Sequence, residues 1–287
     1  MRTEAHEKSA ILVEALPYIQ KWSGKIVVIK VGGEIVDDPA TLKGFATDLT
    51  LLSFVGMRPI LVHGGGNQIS AAMKSRGLKP HFIGGYRVTD ETTAAVVKSV
   101  MTEVNAGIAA EIGAQGARAV PLSGDEEALL GITRLLGPNG EDLGLVGEVS
   151  DVNGSVIDAA MYRERIPVVA PLGSGPDGCT YNINADLAAS AIAVAMKAEK
   201  IVFLTNTSGL YRDLGDETSL ISEASVSQLN EMLEGGHLSK GMLPKISGVV
   251  KAIEAGVPRA HILDGRKPHC LLLEIFTDEG SGTMVTP

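Results

Sequence analysis

The chain has 287 residues, 45% hydrophobic and 21% charged, an ordinary globular composition that argues against disorder. A net charge of −9 argues against non-specific nucleic-acid binding, and two cysteines in no CxxC pattern, Cys179 and Cys270, argue against a disulfide framework or a cysteine zinc site. No apolar run reaches the length of a membrane span and no apolar h-region follows the first residues, so the expectation is a cytoplasmic chain with neither nucleic acid nor membrane as partner.

The first predicted element is a helix over 9–20, with Ile11, Leu12, Ala15, Leu16 and Ile19 on one stripe. Pro17 cannot donate to the Val13 carbonyl, so a kink or break is expected there. From residue 25 strands and helices alternate. KIVVIKV (25–31) is a β-branched strand ending at Gly32-Gly33, and an amphipathic helix spans 41–54. RPILVH (58–63) is a strand ending at Gly64-Gly65-Gly66, and a helix over 67–76 ends at Gly77. A long helix over 91–115 precedes a strand over 117–122. Residues 130–158 are glycine-rich with short β-like pieces near 145–149. A helix closes at 162–165 and IPVVA (166–170) is a strand. An alanine-rich helix over 184–198 is followed by the strand KIVFLT (200–205). Helices over 225–235 and 243–255, a strand over 260–263, and residues 271–276 lead to a terminal strand over 283–285. Continuous apolar strands, each followed by a helix, imply a mainly parallel sheet covered on both faces. The most plausible internal boundary lies near residue 199, with both halves sharing one sheet.

Several phosphate motifs are absent: GxxxxGK[ST], a GxGxxG after the first strand, and the HRD and DFG pair. No HExxH or histidine cluster suggests zinc or another protein-held metal. Two glycine-rich strand-to-helix turns are present, Lys30-Val31-Gly32-Gly33 and His63-Gly64-Gly65-Gly66-Asn67. In a parallel sheet both fall at the carboxyl edge, where backbone N–H groups can approach phosphate; plain tight turns are the alternative. Lys30 can reach a phosphate held by its turn, or snorkel to the surface. Arg87, after the hinge Gly84-Gly85, can hold a carboxylate bidentately, or be an exposed loop charge. In Asn182-Ile183-Asn184-Ala185-Asp186, helix capping accounts for Asn184 and Asp186 but leaves Asn182 open. Lys245 sits at a helix start, where a cation is unfavourable unless an anion faces it.

IKVGG, LVHGGGNQI, GYRVTD, NINAD, GMLPK and HILDGRKPHCLLLEIFTDEGSGTMV occur in that order. From about Leu16 to the C-terminus the chain resembles the amino acid kinase family, within it the members that phosphorylate N-acetyl-L-glutamate. The resemblance implies an open αβα sandwich and ATP-dependent phosphorylation of the side-chain carboxylate of N-acetyl-L-glutamate, the second step of arginine synthesis, with ATP and Mg²⁺. Lys30 and Lys245 would flank the transferring phosphoryl group, with Asp186 orienting both. Gly32, Gly33, Gly65 and Gly66 would offer N–H groups to it and to the acceptor. Arg87 would bind the acceptor's α-carboxylate and Asn182 its N-acetyl-amino-acid moiety. A carboxylate nucleophile is already ionised at pH 7, so no general base is required. The implied division is an oligomerisation helix (1–24), an acceptor-binding and dimerising lobe (25–199) and an ATP lobe (200–287).

Arginine-inhibited members of the family carry such an N-terminal helix, interlaced in a hexameric ring of three dimers. Their inhibitor site maps here to Tyr18, His261, Glu274 and Gly280. The chain departs from the family at Asn206, where aspartate is usual, and in Ser123-Gly124-Asp125-Glu126, which lacks the common lysine. Phosphorylation of N-acetyl-aminoadipate, and a non-catalytic arginine or nucleotide sensor on the same fold, remain alternative readings.

Overall fold

The computed structural model describes residues 2–213, 216–235, 242–277 and 280–287. The predicted break at Pro17 is present: a helix over Arg2–Glu14 ends and a second, Leu16–Trp22, starts with the proline in its first turn. The first helix begins earlier than its apolar stripe suggested. The predicted stripe is not buried: Ile11, Leu12 and Leu16 are exposed by 64%, 72% and 48%, and Ala15 and Ile19 are half-buried.

The predicted mainly parallel sheet is observed and has eight strands among the described residues. Across it run Glu223–Ser225, Gly282–Thr286, Ala260–Asp264, Lys200–Thr205, Ile26–Val31, Arg58–His63, Ile166–Ala170 and Ala119–Ser123. Only the pairing of Ala260–Asp264 with Gly282–Thr286 is antiparallel. Lys200–Thr205 lies directly beside Ile26–Val31, so the two halves of the chain share one sheet across residue 199.

Strand alternation sorts the side chains by face. Val27, Ile29 and Val31 turn to one side, under Phe45, Leu49 and Leu52 of the Pro39–Phe54 helix and Ile108 and Ile112 of the Glu91–Ala114 helix. Val28, Ile60, Ile201 and Phe203 turn to the other, under the Ala185–Ala195 and Leu243–Glu254 helices. Lys30, two residues after Val28, faces this second side, beside Phe203 in register.

Where the sequence suggested short β pieces, residues Leu130–Leu136 and Asp142–Val152 form a long antiparallel hairpin. It closes a four-stranded ring with Leu172–Ser174 and Thr180–Ile183, two strands too short to give a periodic signal. Two helices were also missed. Gly33–Asp37 is too short to read, and Cys270–Phe276, whose type was left open, is apolar nearly all round because it packs on the sheet.

The ring is tied to the segment that carries Arg87. Thr89 donates its N–H to the Leu143 carbonyl at 2.9 Å and accepts from the Leu145 N–H at 2.6 Å. Gly144, between them, has φ +73°, and a methyl group on it would collide with the Thr89 carbonyl oxygen. Gly144→Ala should therefore cost roughly 2 kcal/mol or more of stability from overpacking and a left-handed backbone. Urea unfolding checks this, and an unchanged midpoint would contradict it.

Candidate active site

Helix packing brings Lys245 to Asp186 across 59 residues of sequence. The Ala185–Ala195 helix is built largely from alanine, and Gly248 of the Leu243–Glu254 helix has no side chain to hold the two apart. A methyl group at Gly248 would press on Ser190 Oγ and the Asp186 carbonyl. Lys245 lies one turn before Gly248 on the same helix face. Asn184 caps the alanine-rich helix as predicted, its Oδ1 accepting from the Asp186 and Leu187 N–H groups at 2.9 and 3.2 Å. The cap fixes Asp186 in the first turn, pointed at the sheet edge.

Lys30 Nζ and Lys245 Nζ both donate to Asp186 Oδ1, each at 2.9 Å. All three residues are buried, exposed by 9%, 5% and 8% in the order Lys30, Lys245, Asp186. Burial alone would raise the Asp186 pKa, but the two ammonium groups outweigh it and hold the carboxyl far below the usual carboxylate range. Burial, then repulsion from Lys30, pushes Lys245 down to about 8 against the pull of Asp186. The ammonium also lies 5.3 Å over the Phe203 ring. The anion expected opposite Lys245 is thus Asp186. One carboxylate serves two cations, so the trio keeps one net positive charge.

A cavity of about 200 Å³ opens beside this trio at the carboxyl ends of the strands. Lys30, Gly32, Gly33 and Gly66 line it. A methyl group at Gly66 would meet no protein atom within 4 Å, so the fold itself does not demand glycine there; the open space belongs to the cavity. Gly65 stands behind, against Met101, and does not line it. Arg87 and Asn182 sit on the flank. Buried Arg87 stacks on Phe82, with its carbon 4.7 Å from the ring centre, and donates from Nη2 to the Gly66 carbonyl and Ser70 Oγ, both at 2.9 Å. Asn182 Nδ2 donates to Thr89 Oγ1 at 3.4 Å, and that hydroxyl donates to the Arg87 carbonyl at 2.7 Å. The flank is therefore one connected unit joined to the second glycine turn. Gly241 of the GMLPK segment lies outside the described residues.

Sequence reasoning did not assign Glu34, Asn67 or Arg266, which also line the cavity. Their signals were only adjacency to glycine, in Gly33-Glu34, Gly66-Asn67 and Gly265-Arg266. The two departures have structural reasons. Asn206 donates from Nδ2 to Glu34 Oε1 at 3.0 Å, where an aspartate would oppose carboxylate to carboxylate. Asp125 is buried and accepts from Lys98 Nζ at 2.7 Å, Ser123 Oγ at 2.5 Å and Thr180 Oγ1 at 2.6 Å, so a cation reaches this loop from the Glu91–Ala114 helix.

A second cavity, of about 320 Å³, gathers Tyr18, His261, Glu274 and Gly280 with Trp22 and Lys200. Glu274 Oε1 accepts from Lys200 Nζ at 2.9 Å and pairs with His261 Nδ1 at 2.7 Å. Burial works to raise the Glu274 pKa, but the His261 hydrogen bond and the His261 and Lys200 charges bring it down to about 2. Lys200 Nζ also stands 4.8 Å from the centre of the Trp22 ring.

The amino acid kinase family model matches residues 25–264. An acetylglutamate kinase of Caldanaerobacter subterraneus subsp. tengcongensis is 48% identical over 279 residues, 97% of this chain and 93% of that protein. Among solved structures, an N-acetylglutamate synthase from Neisseria gonorrhoeae complexed with coenzyme A and N-acetyl-glutamate superposes with a TM-score of 0.86 at 30% identity. It covers 97% of this chain, which spans only 63% of the synthase. The same synthase complexed with coenzyme A and L-arginine gives a TM-score of 0.81 at 29% identity, covering 97% of this chain and 65% of that one. The chain belongs to the amino acid kinase family.

Titration of Lys245 has two opposite consequences. If the charged form assists phosphoryl transfer, kcat/KM should fall as pH rises through about 8. Stability should move the other way. The folded-state pKa lies below the ordinary lysine value of 10.5, so between about 8 and 10.5 the unfolded chain binds the extra proton. The Lys245 contribution to stability therefore rises with pH across that window. A pH–rate profile run beside urea unfolding at pH 8 and 10 checks both, and activity flat to pH 10 would remove Lys245 from the chemistry.

Proposed function

We propose that this member of the amino acid kinase family uses ATP to phosphorylate the side-chain carboxylate of N-acetyl-L-glutamate, giving N-acetyl-L-glutamyl 5-phosphate for arginine biosynthesis. The observation that carries the reading is the pair of lysines, from a strand end and a helix start, on one buried carboxylate beside a glycine-lined cavity. The 48% identity to an acetylglutamate kinase over nearly the whole chain supports this acceptor.

An acceptor carboxylate oxygen attacks the γ-phosphorus, the bond to the β–γ bridging oxygen breaks, and ADP leaves with that electron pair. The attacking oxygen is already anionic, so no base is needed. Charge builds on the equatorial and leaving oxygens, and Lys30, Lys245 and the backbone N–H groups of Gly32, Gly33 and Gly66 meet it, while Gly65, behind the cavity against Met101, shapes the turn. Asp186 holds the two ammonium groups in place and lowers their repulsion. Arg87 receives the acceptor's α-carboxylate and Asn182 its N-acetyl-amino-acid portion, both held through the Thr89 link. A magnesium ion carried on the nucleotide would be part of that substrate and would screen its phosphate charge. Residues 25–199 form the acceptor and dimer lobe and residues 200–287 the nucleotide lobe. The protein works in the cytoplasm.

An ADP-release assay with N-acetylglutamate, glutamate and N-acetyl-aminoadipate tests the reading directly. Lys30→Ala should lower kcat by about 10²–10³, the usual cost of removing one electrostatic donor. Arg87→Ala should chiefly raise KM for N-acetylglutamate. Turnover with the aminoadipate compound alone would reassign the acceptor, and a fully active Lys30→Ala would sink the mechanism.

The second cavity is read as an L-arginine inhibitor site. Tyr18, His261, Glu274 and Gly280 line one space, and ionised Glu274 suits a guanidinium or α-amino group. The superposed synthase was solved with L-arginine, which supports the reading. The exposed stripe of the first helix supports a hexamer, a trimer of dimers interlaced through residues 1–24. Trp22, the one tryptophan of the chain, lines this cavity, so L-arginine should change its fluorescence in step with inhibition. Deleting residues 1–22 should leave an active dimer that arginine inhibits far less. Light scattering beside the titration checks both, and a dimeric full-length protein or undiminished inhibition would overturn the assignment.

A further inference from the structure

One cation of the active-site cavity has no role in the mechanism so far. Arg266 lines the cavity opposite the glycine cradle, on the wall formed after the Lys200–Thr205 and Ala260–Asp264 strands. Its backbone turn is held from both sides. The Gly265 N–H donates to the Thr205 carbonyl at 2.8 Å, and a methyl group at Gly265 would strike Ile35 and Leu204.

The side chain is oriented as firmly. Asp264 is buried at the strand end, paired in register with Thr205. Its Oδ1 accepts from the Arg266 N–H and Nε at 3.1 and 2.9 Å, and its Oδ2 accepts from Nη2 at 2.8 Å. One edge of the guanidinium is thus spent on orientation, and the Nη1 end makes no hydrogen bond or ion pair with any described residue. Glu34, the acid of the cavity lining, is held instead by Asn206 and forms no ion pair with Arg266.

A planar cation fixed by a buried carboxylate, with a free donor end at a glycine-lined cavity, is suited to phosphate oxygens. Lys30 and Lys245, offset by Asp186, bring only one net positive charge, whereas a triphosphate and an acceptor carboxylate bring several negative ones. The acceptor's cation, Arg87, lies on the far flank with Gly66. We propose that Arg266, positioned by Asp264, binds the phosphate chain of the nucleotide; this rests on the kinase reading above and adds a residue to it.

The test uses the full-length chain. ATP and ADP affinities are measured by calorimetry without acceptor, alongside both KM values and the melting temperature, for wild type, Arg266→Ala and Arg266→Lys. Loss of one charge-assisted hydrogen bond predicts a rise of about 10- to 100-fold in the ATP Kd and KM for Arg266→Ala. The acceptor KM should stay within about 2-fold, while the melting temperature falls modestly because the buried Asp264 carboxylate loses its two side-chain donors. Arg266→Lys should recover only part, because an ammonium lacks the fork that Asp264 grips. An unchanged ATP Kd, a rise confined to the acceptor KM, or a steep fall in melting temperature with both KM values raised would each overturn the proposal. If wild type binds ATP but phosphorylates no N-acetyl amino acid, the acceptor reading fails, while the ATP Kd of Arg266→Ala still decides this one.

Discussion

A single carboxylate oxygen that accepts from two ammonium groups sets the geometry of the active site. Lys30 and Lys245 both lie 2.9 Å from Asp186 Oδ1. Without that oxygen, two buried like charges would face each other, and breaking a buried pair costs about 3–5 kcal/mol. Each surrounding feature serves this geometry. The period of the first strand sends Lys30 to the face covered by the alanine-rich helix. Asn184 sets the register of that helix. Small residues at the crossing with the Leu243–Glu254 helix let Lys245 come within reach. Glutamate for aspartate would keep the charge but lengthen the arm by a methylene, displacing the oxygen that now lies 2.9 Å from both ammonium groups.

The cavity beside the trio is shaped by chain direction. In a parallel sheet, successive strands deliver their carboxyl ends to one edge, so the turns after Ile26–Val31 and Arg58–His63 face the same space as those after Lys200–Thr205 and Ala260–Asp264. The first pair contributes glycine backbone and the second contributes Asn206 and Arg266. Asn206 shows how such walls are matched. Glu34 follows the first glycine turn, and an amide at position 206 can donate to it where a carboxylate could not. The exchange at Ser123–Glu126 follows the same rule, with Lys98 supplying the cation that the buried Asp125 requires.

Much of the fold was legible because its signals are local. The strands at 58–63, 166–170 and 200–205 are β-branched runs closed by glycine, proline or a polar turn, and they appear where their sequence puts them. The break before Pro17 and the cap at Asn184 follow from single residues. The ring of strands over 130–183 was not legible, because two of its members have three and four residues and pair across the sequence. Lys245 announced a missing anion through its position at a helix start, but only folding, or resemblance to relatives, says which anion. Lys200 gave no signal: a lysine opening a strand resembles any surface lysine, and its burial between Glu274 and Trp22 depends on two distant helices.

Lys200 also places the second cavity in mechanical relation to the first. It opens the same six-residue strand that ends at Thr205, beside Asn206 in the active-site wall. The neighbouring strand repeats the arrangement, with His261 near its start and Asp264, which orients Arg266, at its end. At about 3.3 Å per residue the two clusters stand roughly 15–20 Å apart on one close-packed pair of strands. Such a pair is stiff along its length, so a ligand in the second cavity would not distort the first by bending the strands between them. Coupling would instead require movement of the pair as a unit relative to the first half of the chain, driven by a ligand that binds one placement better than the other. The Leu16–Trp22 helix belongs to the first half by sequence yet packs Trp22 under Lys200 of the second. It is the element whose position would differ between the two placements, and a ligand touching Tyr18 and Glu274 together would sense that difference directly.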